Sequence, residues 1–306
     1  MILSVSRRTD IPNYYSQWFY NRLREGFLYV RNPMNAHQIS RINLSPEEVD
    51  CIVFWTKNPE NMLDSLSELS GYPYYFQFTL TGYGQKIEPS LPDKKTRLIS
   101  IFQELSKSIG HERVIWRYDP ILLNGAYTVK YHLKAFKEIA ECLRGYTDKV
   151  VISFVDFYTK TKRNMELLQI RSFAEEEIFE LALGMAKTAE MNHMMIESCA
   201  EKIDLQEIGI AHGSCIDQKL IERLAGCKLR GNKDRNQREE CGCIESVEVG
   251  AYDTCGNGCK YCYANLNGEM VRRNMKLYDV NSPLLCGVVG EGDVITKRKV
   301  KSKKAL

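Results

Sequence analysis

Cys51-Ile52-Val53-Phe54-Trp55-Thr56-Lys57-Asn58 is a run of five apolar, β-prone residues that stops abruptly in polar and charged ones. A continuous apolar run of this length reads as a strand covered on both faces, as in a parallel sheet. The pattern recurs. Residues 2–5 end in Ser6-Arg7-Arg8-Thr9-Asp10, residues 74–80 in Thr81-Gly82, and residues 114–116 in Arg117-Tyr118-Asp119. Residues 150–155 end in Asp156, and residues 194–196 in Glu197-Ser198-Cys199. Apolar residues at helical spacing fill 14–25, 94–108, 129–143 and 174–189. Strand alternating with helix builds a parallel sheet. Six such units with little between them point to an α/β fold, a (β/α) TIM-like barrel, complete or partial, with its core in residues 1–198. A doubly wound open sheet is the alternative.

Active sites of such barrels lie at the C-terminal ends of the strands. Those ends carry Arg7, Arg8, Asp10, Lys57, Asn58, Arg117, Asp119, Asp156 and Glu197. Exposed strand ends are polar in any case, so no single one of these residues argues for function. Their joint appearance after every strand does.

The chain has 306 residues, 44% of them hydrophobic and 26% charged, enough apolar material for a sizeable core. No stretch approaches the roughly 18 uninterrupted apolar residues of a membrane helix, and Met1–Asp10 does not read as a signal peptide. The expected location is cytoplasmic, without membrane contact. The net charge of +3 is small, and much of the excess lies in Ile295-Thr296-Lys297-Arg298-Lys299-Val300-Lys301-Ser302-Lys303-Lys304. Residues 291–306 read as a basic, disordered tail, with nucleic acid as the candidate partner of its charge.

Eleven cysteines are many for a chain in a reducing compartment, where ligands or buried thiols are expected rather than disulfides. Only Cys51 and Cys142 lie in the first half, and both read as core residues. The rest crowd the last third, so residues 199–290 read as a Cys-rich, metal-binding region that completes the barrel. A further strand at 247–252 leads straight into Cys255-Gly256-Asn257-Gly258-Cys259-Lys260-Tyr261-Cys262. Its C-x3-C-x2-C spacing lets three thiolates converge on one centre, and glycine lets the backbone wrap it. Thiolates select zinc, copper(I) or iron–sulfur. A structural zinc site wants four ligands, so three leave a position open.

This spacing, with an aromatic residue just before the last cysteine, resembles the signature of radical S-adenosylmethionine enzymes. The string Cys255 to Asn265 resembles most the spore photoproduct lyase branch. Phe78-Thr79-Leu80-Thr81 followed by Ile87-Glu88-Pro89 and Pro92 resembles a middle segment of the same enzymes. Nearly all of residues 1–295 is similar to the family called domain of unknown function 1848. The resemblance implies a 4Fe–4S cluster on Cys255, Cys259 and Cys262, S-adenosylmethionine cleavage to a 5′-deoxyadenosyl radical, and Tyr261 near the adenine. It also implies a reductant such as flavodoxin or ferredoxin. In that superfamily the cysteine loop follows the first strand. Here it follows the last, as a circular permutation of the barrel would place it.

Cys199, Cys215, Cys241 and Cys243 form a second set, read as a second iron–sulfur cluster or a zinc site, with buried thiols as the alternative. A non-catalytic iron–sulfur or zinc protein and a nucleic-acid repair or modification enzyme are the competing functional readings.

Overall fold

The apolar runs become strands because both their faces are covered. The computed structural model describes residues 1–299 and 302–305. Its strands are β1 (Ile2–Val5), β2 (Phe27–Asn32), β3 (Asn35–Asn43), β4 (Cys51–Thr56), β5 (Tyr74–Thr79) and β6 (Val114–Ile121). They continue with β7 (Lys149–Phe154), β8 (Met195–Ser198), β9 (Ala211–His212), β10 (Val247–Glu248) and β11 (Val294–Lys297). The helices are α1 (Ile11–Tyr14), α2 (Ser16–Glu25), α3 (Ile99–Ile109), α4 (Val129–Leu143), α5 (Lys162–Leu167), α6 (Glu175–Met191), α7 (Gln218–Ala225) and α8 (Gly268–Met275).

Eight strands make one parallel sheet in the order β10-β1-β4-β5-β6-β7-β8-β9. Every pair is parallel, for example Ser4 with Val53, Phe54 with Phe76 and Trp116 with Val150. From β1 to β9 the order climbs in one direction. A doubly wound sheet reverses direction at a switch point, so that alternative fails. The one-way order is consistent with a TIM-like barrel. The two-residue strands β10 and β9 are its edges, and among the described residues no ladder joins them. The last strand of this sheet, β10, lies against β1, with Leu3 beside Val247 and Ser4 beside Glu248.

Alternate strand residues face opposite sides. Leu3, Val5, Phe54, Phe76, Phe78, Val114 and Trp116 join the main core with buried residues of the surrounding helices, such as Phe102, Phe136 and Leu181. Ile2, Cys51, Val53, Tyr75, Ile115 and Val151 form a second cluster with Ile216, Leu220, Ile221 and Ile244. The segment around α7 therefore fills one end of the inner face with apolar side chains. At the C-terminal strand ends the inner face turns polar.

The fold departs from the sequence reading in three places. Residues 27–43 form a hairpin, β2 antiparallel to β3, that belongs to a separate sheet ordered β11-β3-β2. The basic end was expected to be disordered, yet β11 pairs in parallel with β3. Ser302 Oγ and the Lys303 amide donate to the buried Asp50 at 2.5 and 2.7 Å, which also takes the Met1 ammonium at 2.6 Å. A buried carboxylate offers the basic end fixed partners, and the apolar Val294 and Ile295 give it strand propensity. Val300, Lys301 and Leu306 lie outside the described residues. Cys51 is buried in β4, but Cys142, expected in the core, is exposed on α4.

Candidate metal-binding site

Residues just after β1, β4 and β8, with Thr79 at the end of β5 and Arg117 and Asp119 within β6, open onto a cavity of about 980 Å³. Cys255, Cys259 and Cys262 line it, and so do Tyr261, Arg7, Arg8, Asp10, Lys57, Arg117 and Asp119. Two buried carboxylates hold the cysteine loop there. Asp10, after β1, accepts from Thr56 Oγ1 at 2.7 Å, from the Lys57 amide at 2.8 Å and from Asn257 Nδ2 at 2.9 Å. Asn257 stands between the first two cysteines, and its Oδ1 accepts from Asn13 Nδ2 and Tyr14 Oη. One carboxylate thus ties together the ends of β1 and β4 and the cysteine loop. Burial pushes Asp10 up from the usual carboxylate value, and these three donors, with the Asn13 amide at 3.2 Å, oppose that shift.

Glu88, only 1% exposed, is the second anchor. Lys57 Nζ lies 2.7 Å from its Oε1, and Lys94 Nζ and Tyr261 Oη also bond to it. Thr81 Oγ1 donates to it at 3.0 Å. Burial alone would raise the Glu88 carboxyl, but the two ammonium groups outweigh it and hold it at about 2. Burial lowers Lys57 and Glu88 raises it, with the raising contribution prevailing. Lys94 ends below its usual value, because burial and the neighbouring Lys57 outweigh the shared carboxylate. The backbone completes the seat: the Lys260 amide donates to the Ile87 carbonyl at 3.0 Å, and Asn265 Nδ2 to the Cys255 carbonyl at 2.8 Å. Gly258 has φ +67°, and a Cβ there would stand 3.1 Å from Pro89. That backbone region is costly for other L-residues.

Burial pushes the Cys255 thiol up to about 12 and raises Cys259 and Cys262 as well. Metal binding to such thiols must displace protons. Among the described residues no three His, Cys, Asp or Glu side chains stand converged on the position of one ion. Cys255, Cys259 and Cys262 all line one cavity, and three thiolates on one loop are a donor set that an iron–sulfur cluster takes. The donor set therefore fits such a group.

A model of the family described as "Domain of unknown function (DUF1848)" matches residues 2–264. The chain belongs to the DUF1848 family. No curated protein matches this DUF1848 chain. It is similar to a solved structure from Bacteroides thetaiotaomicron, provisionally named an alpha-L-fucosidase, at 12% identity. That match covers 75% of this chain and 84% of the other, with a TM-score of 0.28. A superposition that loose carries no argument.

The other residues expected at the site of this DUF1848 protein separate into three groups. Arg7 stacks on Trp55 at 4.9 Å, Arg8 on Tyr252 at 4.7 Å, and Arg117 on Trp55 at 5.3 Å. Arg117 also grips Asp119 through two nitrogens, at 3.0 and 2.5 Å. These residues line the cavity. Asn58 and Asp156 are not among its lining residues. Asn58 bonds to Asn13 and Thr56, and Asp156 pairs with Arg238 at 2.6 Å. Glu197 is also off the cavity: it pairs with Lys149 at the start of β7, at 2.7 Å. Val151 is its cross-strand neighbour, so the β pleat puts Lys149, two residues earlier, on the same face of the sheet.

Cys199, Cys215, Cys241 and Cys243 line the same cavity. Sequence reasoning did not single out Glu88, Lys94 or Asn257 as site residues. A charged residue inside the Ile87-Glu88-Pro89 string was the available signal for Glu88. No helix among the described residues is long and apolar enough to cross a membrane.

Proposed function

We propose that this protein holds a 4Fe–4S cluster on Cys255, Cys259 and Cys262 and uses it to cleave S-adenosylmethionine for radical chemistry. The observation that carries this reading is the placement of all three thiols of one short loop on a single cavity at the C-terminal strand ends. When bound and reduced, such a cluster supplies the electron that splits S-adenosylmethionine into methionine and a 5′-deoxyadenosyl radical. The chain's own residues bind and orient. Glu88, Lys57 and Asp10 fix the loop. Tyr261 presents a ring beside Lys57, at 5.5 Å, on the cavity wall. Arg7, Arg8 and Arg117 offer guanidinium groups suited to a carboxylate, and Arg7 keeps one buried nitrogen without a partner. The cavity volume is at the upper end for small-molecule sites, leaving room for cosubstrate and substrate together.

In this reading the barrel is circularly permuted relative to the superfamily. The cysteine loop follows β10, and β10 neighbours β1. A reductant of the flavodoxin or ferredoxin class would deliver the electron. The nucleic-acid substrate implied by the lyase resemblance is a narrower form of the same proposal. An oligonucleotide that neither binds nor raises turnover would remove it.

The test is anaerobic purification, iron and sulfide analysis, and electron paramagnetic resonance of the dithionite-reduced protein. About four irons per chain on this loop and 5′-deoxyadenosine formed from S-adenosylmethionine are expected. Both should be lost in the Cys255→Ala/Cys259→Ala/Cys262→Ala variant. A cluster that yields no 5′-deoxyadenosine would instead mean a non-catalytic iron–sulfur protein.

A further inference from the structure

We propose that Cys199, Cys215, Cys241 and Cys243 form a second thiolate-bound metal centre facing the same cavity. The inference is independent of what the Cys255 loop holds. The four thiols come from three separate segments: the end of β8, the turn between β9 and α7, and the approach to β10. They come together on the lining of one cavity, with two of the sulfurs in direct contact. Cys199 Sγ lies 3.1 Å from Cys215 Sγ. Cys241 and Cys243 each line the same cavity as Cys199 and Cys215.

The backbone is shaped for this approach. The Ile216 amide donates to Cys243 Sγ at 3.2 Å, as amides do around metal-bound thiolates. A Cβ on Gly242, between the last two cysteines, would stand 2.4 Å from Ser214 Oγ and 3.3 Å from the Gly213 carbonyl. Any larger residue would hold residues 241–243 away from the Cys215 turn. The Asp234 amide bonds to the Cys243 carbonyl at 2.9 Å, and the Cys241 amide to the Arg238 carbonyl at 3.0 Å.

Charge supplies the second argument. Arg117 spends two nitrogens on Asp119 and aims the third at Cys215 Sγ, 2.7 Å away. Arg7 lines the same cavity as Cys243 and Cys215, and one of its buried nitrogens has no partner. Neutral thiols have no need of two guanidinium groups. Four thiolates around zinc, or around a 4Fe–4S core, leave about two negative charges. Arg7 offsets part of that charge, and Arg117, already paired with Asp119, adds a donor at Cys215. On binding, each thiol gives its proton to solvent and its sulfur to the metal. The sulfurs are not yet gathered around one point. A tetrahedral zinc needs them about 3.8 Å apart, and Cys199 and Cys215, at 3.1 Å, are near that spacing. Zinc and iron–sulfur share this soft-thiolate chemistry, and the analysis of bound metal separates them.

The experiment uses the Cys255→Ala/Cys259→Ala/Cys262→Ala protein, purified without oxygen and checked for folding by its thermal melt. About one zinc per chain, or iron with matching sulfide, should remain. The metal should disappear when Cys199, Cys215, Cys241 and Cys243 are also changed to serine. Wild-type protein provides the check if either variant fails to fold: zinc, or iron beyond about four per chain, should be present there. A folded triple variant without metal, together with wild-type metal accounted for by one cluster, overturns the proposal. So does a Cys199–Cys215 disulfide recovered from metal-free wild-type protein. If the wild type binds metal only through the second set, this proposal stands and the one for the Cys255 loop fails.

Discussion

Replacing Glu88 with glutamine would leave the Lys57 and Lys94 ammonium groups beside a neutral amide in a site that is 1% exposed. Removing one partner of a buried ion pair costs about 3–5 kcal/mol, because the remaining charge loses its compensation without regaining water. The pH dependence gives a second handle on the magnitude. The carboxyl falls from its usual 4.5 to about 2 in the folded protein, which corresponds to roughly 3 kcal/mol. A depressed carboxyl stabilises the fold at pH above its unfolded value, and that contribution disappears as pH falls through the folded value. Urea unfolding of wild type and Glu88→Gln, with both proteins treated alike, should therefore show a gap of about 3–5 kcal/mol near pH 7. The gap should narrow steadily below pH 4.5. A gap under about 1 kcal/mol, or one that stays constant down to pH 2.5, would refute the view that Glu88 is a charged buried anchor. Tyr261 also bonds to this carboxylate, so the variant should retain less iron on the cysteine loop.

Three further perturbations test the same scaffold. His132 is wholly buried, bonds to the Leu122 carbonyl at 2.8 Å and contacts Tyr118 Oη at 2.9 Å; burial lowers it to about 4. A lowered histidine stabilises the fold above its unfolded value of 6.5, and roughly 3 kcal/mol should be lost as pH falls from there to 4. His132→Gln should flatten that limb of a urea-monitored stability profile, and an unchanged limb would count against the assignment. Asp10→Ala strands the Lys57 amide and Asn257 Nδ2, at about 1–3 kcal/mol for each buried donor left unpaired. Asp10→Asn should not rescue it, since each carboxylate oxygen faces donors; denaturant melts that show rescue would contradict this. Gly258→Ala forces a φ of +67° on an L-residue beside Pro89, costing about 1–2 kcal/mol. Iron retention should drop, whereas Gly125→Ala, in open space, should behave as wild type.

The strands of the parallel sheet could be read locally because burial on both faces imposes unbroken apolar runs, and those runs needed no partner to be recognised. The β2–β3 hairpin escaped because its residues are mostly half-exposed or exposed and mix polar with apolar side chains. The basic end escaped because its partners, β3 and Asp50, lie more than 240 residues away in the chain. In the site, Cys255, Cys259 and Cys262 were legible from spacing alone, since three ligands on one short loop are local. The Glu88 anchor was not. Its charge becomes meaningful only when Lys57 from the end of β4, Lys94 from the segment before α3 and Tyr261 from the cysteine loop close around it in a place without water. The same holds for Glu197, which stands at a strand end in the sequence but turns to Lys149 in the fold.

By itself, then, the amino-acid sequence determined the alternation of buried strands and helices and the three-thiol loop, because each is a pattern of near neighbours. Only the tertiary structure decided that β10 lies against β1, that Arg7 and Arg117 face a second group of thiols, and that two buried carboxylates hold the loop. These are meetings of distant segments, and their energies depend on burial and on distances that chain order does not encode.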